Sequence, residues 1–293
     1  MRIPVLPGDG IGPIVITEAL KVLRAVGIDT FEVLPFGYQS WLDCGDALPA
    51  STVTRIQEAG VALLGAATTP EIGCASPILA LRRTLGLDLL VRPAAGLVLV
   101  GHAFEGLYFA PEEPEPRWVV TSAGAERLLT EAFSRARWKV TLVDKPTVLR
   151  HQAAIFRAAA NPPPGITFEL VNADAFIADV LRHPDRYDVI AATSFVADLL
   201  SDLFAALDGG IGRAPSASLG LDVAVFEPVH GSAPRRVEVP PEVDPTGAIL
   251  AAAMLLDHLG EPDRASRVRL AVRRAGAVGG TTASRGSVVV ANL

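Results

Sequence analysis

Asp198 and Asp202 stand four positions apart in Val196–Leu207, a run whose apolar residues follow helical spacing. On a helix, positions i and i+4 share a face with Cβ atoms about 6 Å apart, so both carboxylates can reach one cation. Oxygen-only ligation favours a hard ion such as Mg²⁺ or Mn²⁺ over Zn²⁺. Two carboxylates are too few for such a site, and Asp174, in Asn172-Ala173-Asp174-Ala175, is the candidate third. A solvated helix face shows the same spacing and remains the plain alternative.

Cationic and imidazole groups supply the rest of the chemistry. Arg82, in Ser76-Pro77-Ile78-Leu79-Ala80-Leu81-Arg82, is expected on a helix, and Arg92 ends the apolar run Leu87–Val91. Two guanidinium forks so placed can converge on one pocket and bind carboxylates two oxygens at a time. Solvated surface arginines are the alternative, which the apolar runs around them weaken. Lys145 stands at the end of the strand run Lys139–Val143, before Pro146, which is expected as the first helical residue. There its ammonium meets the positive end of a helix, an environment that suits a general base; an ordinary loop lysine is the alternative. The segment Phe226-Glu227-Pro228-Val229-His230-Gly231-Ser232-Ala233-Pro234 sets an imidazole that can stack on or bond an adenine in a loop rich in hydrogen-bonding groups.

The turn Gly8-Asp9-Gly10-Ile11-Gly12-Pro13 follows a strand and opens a helix. Such a turn suits an anion, but Pro13 takes the third glycine position of the dinucleotide fingerprint. It therefore does not indicate a Rossmann fold, and a tight structural turn explains it equally well.

The 293 residues correspond to about two domains at roughly 150 residues each. Half are hydrophobic, enough for a sizeable core, and no low-complexity tract indicates disorder. Lys and Arg total 26 against 32 Asp and Glu, a net charge of −6. With no basic run, neither nucleic acid nor an anionic membrane is expected as a partner. Cys44 and Cys74 cannot build a disulfide framework or a zinc cluster and are expected as reduced thiols. The opening Met1–Gly8 lacks the apolar core of a signal peptide, and Thr246–Leu256 is too short to span a bilayer. A cytoplasmic location is expected.

Positioning falls to alternating strands and helices. Strands are expected at Ile3–Leu6, Val61–Leu64, Leu87–Val91, Leu97–Val100, Lys139–Val143, Phe168–Val171, Val189–Ala192 and Val223–Phe226. Helices are expected at Pro13–Val26, Ser51–Gly60, Ala123–Ala136, Pro146–Ala160, Asp174–His183, Val196–Leu207, Pro245–Leu259 and Ala265–Ala275. Continuous Val/Leu/Ile runs mark strands covered on both faces, so the class is α/β with a largely parallel sheet. Ala110–Arg117, with three prolines, reads as a hairpin arm or a loop, and Asn161–Gly165 as a loop.

Taken in order from Leu6 to about Leu256, these segments resemble the β-decarboxylating dehydrogenases: isocitrate, 3-isopropylmalate, homoisocitrate and tartrate dehydrogenases. The pieces that carry the resemblance are Gly8–Pro13, Leu81–Pro93, Val143–Lys145, Asp198–Asp202, Pro215–Gly220 and Glu227–Pro234. The resemblance implies a two-lobed α/β fold, not Rossmann, with residues 1–96 plus 210–293 forming a cofactor-side lobe. Residues 97–209 would form a dimerisation and metal/substrate lobe. It implies a homodimer with shared active sites and Mg²⁺ or Mn²⁺ with NADP or NAD as cofactors. The substrate would be a small hydroxy-dicarboxylate or tricarboxylate. By position, Tyr108 and Lys145 match the catalytic residues, with Ser76, Ile78, Arg82 and Arg92 toward substrate and Asp174, Asp198 and Asp202 toward metal. Thr69, Glu227, His230, Gly231, Ser232, Ala233, Pro234, Arg235 and Asp244 fall at cofactor positions, and Lys145 and Asp174 would reach the site of the neighbouring subunit.

The resemblance breaks at several places. Gly101 stands at the family's third substrate arginine, so either His102 takes over or the substrate differs. Ser194 and Asp244 replace asparagines, and Ile14 replaces a glutamate. Arg235 and Arg236 follow Pro234 where NAD-dependent members carry an aspartate, which favours NADP, with NAD the other reading. Ser76 resembles isocitrate enzymes, Ile78 isopropylmalate enzymes, and Gly65–Pro70 with Glu105–Phe109 homoisocitrate enzymes. A catalytically impaired paralogue acting as a regulatory or binding subunit is the competing reading. The retained tyrosine, lysine and aspartates weigh against it.

Overall fold

The computed structural model describes residues 2–69, 75–109, 117–233, 242–276 and 279–293. Along the chain these form β1 (Ile3–Gly8), α1 (Gly12–Ala25), β2 (Phe31–Val33), α2 (Tyr38–Cys44), α3 (Ala50–Ala59), β3 (Val61–Ala66), α4 (Pro77–Thr84), β4 (Leu89–Ala94) and β5 (Leu97–His102). There follow α5 (Ser122–Arg135), β6 (Lys139–Asp144), α6 (Arg150–Ala159), β7 (Thr167–Asn172), α7 (Ala173–Val180), β8 (Val189–Ala192), α8 (Ser194–Leu207), β9 (Pro215–Leu219) and β10 (Ala224–Pro228). Helices α9 (Thr246–His258), α10 (Pro262–Ala275) and α11 (Thr282–Ala291) complete the order.

The chain divides into two compact units, Met1–Leu87 with Gly209–Leu293, and Asp88–Asp208. The first division therefore precedes β4, whereas residue 96 was the expected edge of the first lobe. Within the first unit the strand order is β2-β1-β3-β10-β9, parallel except for the β10–β9 pair. Within the second it is β4-β5-β8-β6-β7, parallel except for β4–β5. All six residues of β3 and all four of β8 are buried, as uninterrupted apolar runs require when helices cover both sheet faces. Leu6, Ile56, Leu64, Leu81 and Val225 share the first unit's core, and Leu99, Phe176, Ile190 and Phe204 the second's. Among the described residues no helix is long and apolar enough to cross a membrane.

Two glycines show what the Gly8–Pro13 turn is for. A Cβ on Gly8 (φ +71°) would lie 1.8 Å from the Ala66 carbonyl oxygen, and one on Gly10 (φ +57°) 2.0 Å from that of Ser232. The glycines let three segments of the chain itself meet. Asp9, buried between them, accepts backbone N–H groups from Tyr38 (2.8 Å), Gln39 (2.9 Å) and Thr68 (2.8 Å).

The main correction lies after β6. Pro146 does not open a helix: Val148 and Leu149 both donate to the Lys145 carbonyl, closing a turn, and α6 begins only at Arg150. Thr147, which donates to Asn172 Oδ1 at 2.9 Å, and Val148 are β-branched and lower the local helix preference. Lys145 accordingly does not sit against a helix N-terminus. Asn161–Gly165 is a loop, as expected, while most of Ala110–Arg117 lies outside the described residues.

Candidate active site

In the second unit, the β4–β5 hairpin and α8 bring four polar groups together. Arg92 lies on β4 opposite Leu99 of β5. Its Nη1 donates to Ser201 Oγ at 2.9 Å and stands 3.6 Å from Asp198 Oδ1. The Tyr108 hydroxyl donates to Asp198 Oδ2 at 3.2 Å. Arg92 is 11% exposed and Asp198 54%, so an anchored cation faces an accessible carboxylate. Partial burial, then the Asp198 charge, push the Tyr108 phenol above its ordinary range, which keeps it protonated and able to give up a proton only to a strong base.

Ser194, in the first turn of α8, places Tyr108. Its Oγ accepts the Tyr108 backbone N–H at 3.2 Å, and its own N–H donates to the Glu105 carbonyl at 2.9 Å. The Tyr108 ring also meets Phe195 edge-on, with centroids 6.3 Å apart. Asp202 lies one turn beyond Asp198 on α8 and is exposed. Asp174, in the first turn of α7, accepts from Lys145 Nζ at 2.5 Å. That contact holds its carboxyl below the usual range. Among the described residues, no three His, Cys, Asp or Glu side chains of one chain gather as a metal site. The expected aspartates are thus two on α8 and one beside Lys145.

In the first unit, Arg82 projects from α4 onto the β9–β10 pair. Its Nη2 donates to Glu227 Oε1 at 2.8 Å and its Nε to Ser218 Oγ at 3.3 Å. Ser218 Oγ in turn donates to Glu227 Oε1 at 2.9 Å. Ser76 caps α4, accepting the Leu79 N–H at 3.4 Å, and Ile78 packs partly buried against the first unit's core. Both residues expected to read the substrate's side chain thus also have structural work. Arg82 and Arg92 belong to different units.

The loop after β10 lines a cavity of about 350 Å³ with Ile11, Ile211, Gly212, His230, Gly231, Ala233, Glu242 and Val243. His230 is buried; Nδ1 donates to the Gly231 carbonyl at 3.0 Å, and among the described residues the buried Nε2 has no hydrogen-bond partner. Burial pushes the imidazole below its ordinary range, so it is neutral and can exchange hydrogen bonds with a heterocycle. Ser232 Oγ and Thr68 Oγ1 share a 2.7 Å hydrogen bond, and Thr69 is exposed beside them. Asp244 Oδ1 accepts the Thr246 N–H at 2.9 Å, and its Oδ2 stands 3.6 Å from both Arg213 and Arg285. Pro234, Arg235, Arg236 and Cys74 lie outside the described residues.

A sequence profile of the isocitrate/isopropylmalate dehydrogenase family matches residues 2–100 and 94–284. The chain belongs to that family. It is 34% identical to the homoisocitrate dehydrogenase of Methanocaldococcus jannaschii over 93% of its own length and 89% of that protein's. The isocitrate dehydrogenase of Methylococcus capsulatus superposes with a TM-score of 0.91 at 34% identity, covering 100% of this chain and 99% of that one. A β-decarboxylating dehydrogenase of Thermococcus kodakarensis gives 0.86 at 32% identity, covering 99% and 95%. The chain is thus an enzyme of a dehydrogenase family that oxidatively decarboxylates hydroxy acids.

Against this family background, Gly101 is the sharpest departure. A Cβ there would lie 2.4 Å from the Ala197 Cβ, so β5 and α8 have closed over the position expected to carry an arginine. His102 does not replace it: its imidazole is buried, with Nε2 donating to the Gly124 carbonyl at 2.9 Å. Ser201 and Ser218 were not singled out from sequence. Ser218 sits inside the Pro215–Gly220 segment that carried the resemblance, but only the fold shows it touching Arg82.

Proposed function

We propose that this enzyme oxidises and decarboxylates a 3-substituted malate of the 3-isopropylmalate, homoisocitrate or isocitrate type, with Mg²⁺ or Mn²⁺ and hydride transfer to NAD(P). The observation that carries the reading is Asp198 held between Arg92 and Tyr108. A carboxylate on α8, a carboxylate-binding cation on β4 and a proton donor from the segment after β5 meet there, a combination that suits oxidation with loss of CO₂.

The donor set fits a hard divalent ion: Asp198 and Asp202 offer oxygen ligands from one helix face, with Asp174 contributed by a second copy. A divalent ion held there would supply Lewis-acid polarisation of the substrate's oxygens, and a bound nicotinamide would supply the hydride acceptor. The neutral imidazole of His230, which lines the 350 Å³ cavity, suits contact with an adenine ring. NADP is the favoured nucleotide on the strength of Arg235 and Arg236, with NAD the alternative.

Each protein group then has one task. Arg82 and Arg92 bind and orient the substrate's carboxylates through paired N–H groups. Lys145 accepts the hydroxyl proton as the alcohol is oxidised. Tyr108 delivers a proton to the carbon that has lost CO₂. Lys145 and Asp174 serve the site of a second copy in a homodimer. The apolar residues that α7 and α8 expose, Ile177, Phe195, Leu199 and Leu207, support such an interface.

The test is a panel of isocitrate, homoisocitrate, 3-isopropylmalate and tartrate with Mg²⁺ or Mn²⁺ and either nucleotide, followed by absorbance of the reduced nicotinamide. Turnover of one substrate supports the reading. Nucleotide binding without turnover of any supports the impaired regulatory subunit instead.

A further inference from the structure

Glu227 falls at a position expected to contact the cofactor, yet its carboxylate is directed elsewhere. Strands β9 and β10 pair antiparallel with Val225 opposite Ser218. Successive side chains alternate between sheet faces, so Glu227, two residues beyond Val225, shares the Ser218 face as its diagonal neighbour. Helix α4 lies over that face, and Arg82 reaches down to both. Ser218 is 1% exposed and Glu227 7%, while the Arg82 side chain is 14% exposed. In this setting an ion pair is weakly screened and its geometry well defined.

The pattern of donors is specific. The guanidinium has two edges that bind a carboxylate through two nitrogens, Nε with Nη2 and Nη1 with Nη2. Ser218 takes Nε–H and Glu227 takes one Nη2–H, at 3.3 and 2.8 Å, which occupies the first edge. Among the described residues no other group takes the Nη1/Nη2 edge, which can therefore meet a ligand. A flexible arginine becomes a fork with one usable direction, and the orientation cost otherwise met when the ligand binds is met in folding.

We propose that Glu227, assisted by Ser218, is a positioning residue that orients Arg82 toward a carboxylate of the hydroxy-acid substrate. The inference rests on the dehydrogenase reading above and assigns Glu227 to substrate rather than nucleotide recognition.

The test separates substrate from nucleotide. Glu227→Gln keeps the shape and removes the charge; the KM for the best substrate of the panel rises about ten-fold or more, while the nucleotide KM stays within about two-fold. Ser218→Ala, which leaves the ion pair and guards against a misfolded Glu227 variant, raises the substrate KM about three-fold. In an Arg82→Lys background, which lacks the fork, Glu227→Gln has no further effect on the substrate KM, because the two residues act as a unit. A Glu227→Gln effect confined to the nucleotide KM, or the full effect persisting in the Arg82→Lys background, overturns the inference and leaves the dehydrogenase reading standing. A wild-type enzyme that turns over no member of the panel overturns both.

Discussion

Tyr108 and Asp198 meet through a single 3.2 Å hydrogen bond between phenol and carboxylate, and the hydroxyl of Ser194 fixes the backbone of the tyrosine from the same helix. The proposed proton donor, in the segment after β5, and a proposed metal ligand on α8 are therefore held side by side by two hydrogen bonds to one helix.

Removing the phenol isolates the proton-delivery step. Tyr108→Phe keeps the ring contact with Phe195 and is expected to fold normally, with kcat reduced by roughly 10² to 10⁴-fold and substrate KM little changed. Steady-state kinetics beside a melting curve check this. A variant retaining near-normal kcat removes Tyr108 from the chemistry.

Lys145 and Asp174 form an exposed ion pair at 2.5 Å, 40% and 71% exposed, in a chain whose own Asp198 and Asp202 lie on another helix. If both serve a neighbouring copy, Lys145→Met and Asp198→Asn are each inactive alone but complement when unfolded together and refolded as mixed dimers. Random pairing leaves one intact site in half of the dimers, so about a quarter of wild-type activity returns. Persistent inactivity of the mixture, with hybrid dimers demonstrated, contradicts the shared site.

Position 101 is closed by its own fold. Gly101→Ala places a methyl 2.4 Å from the Ala197 Cβ, and overpacking of that kind costs about 1–3 kcal/mol. Gly101→Arg is expected to destabilise at least as much and not to improve turnover of any panel substrate. Denaturant unfolding measures the first effect and kinetics the second. An arginine variant that is stable and more active shows that the site can still admit the third guanidinium.

Acid should weaken the fold through buried imidazoles. Burial holds His102 and His230 below their ordinary value of 6.5. His102 faces the Gly124 carbonyl, Glu105, Asp88 and Arg127, and His230 the Gly231 carbonyl and Asp244. The unfolded chain takes up protons near 6.5 that the native chain refuses. Their contribution is therefore fully present above that pH and falls as pH drops toward the folded-state values. Denaturant midpoints at about pH 7.5 and 5.5 should decline on acidification, and less steeply in His102→Gln, whose amide can still donate to Gly124. An identical slope in the variant excludes His102 as a contributor.

What the residues disclosed before folding depended on the kind of signal. The strand runs Val61–Leu64 and Val189–Ala192 were legible because both faces are buried and the runs are continuously apolar. Strand β2, three residues at an edge, and β9, built from Pro, Ser and Ala around one Leu, carry no such run. Helix α2 has no apolar period; Asp9, nearly thirty positions earlier, accepts its first N–H groups. Arg82 and Arg92 were legible as carboxylate binders, but their partners Glu227, Ser218 and Ser201 lie more than a hundred residues away and only the sheet register reveals them. Lys145 was misplaced because Pro146 marks a helix start and a turn start alike.

Oxidation by this enzyme is expected to be coupled to loss of CO₂. The most direct measurement is CO₂ released per nicotinamide reduced, with the best panel substrate, in the presence of Mg²⁺ and again after chelation by EDTA. With Mg²⁺ the two products are expected in equal amounts, and with EDTA neither is expected. Reduced nucleotide without CO₂, or a rate indifferent to the chelator, would contradict it.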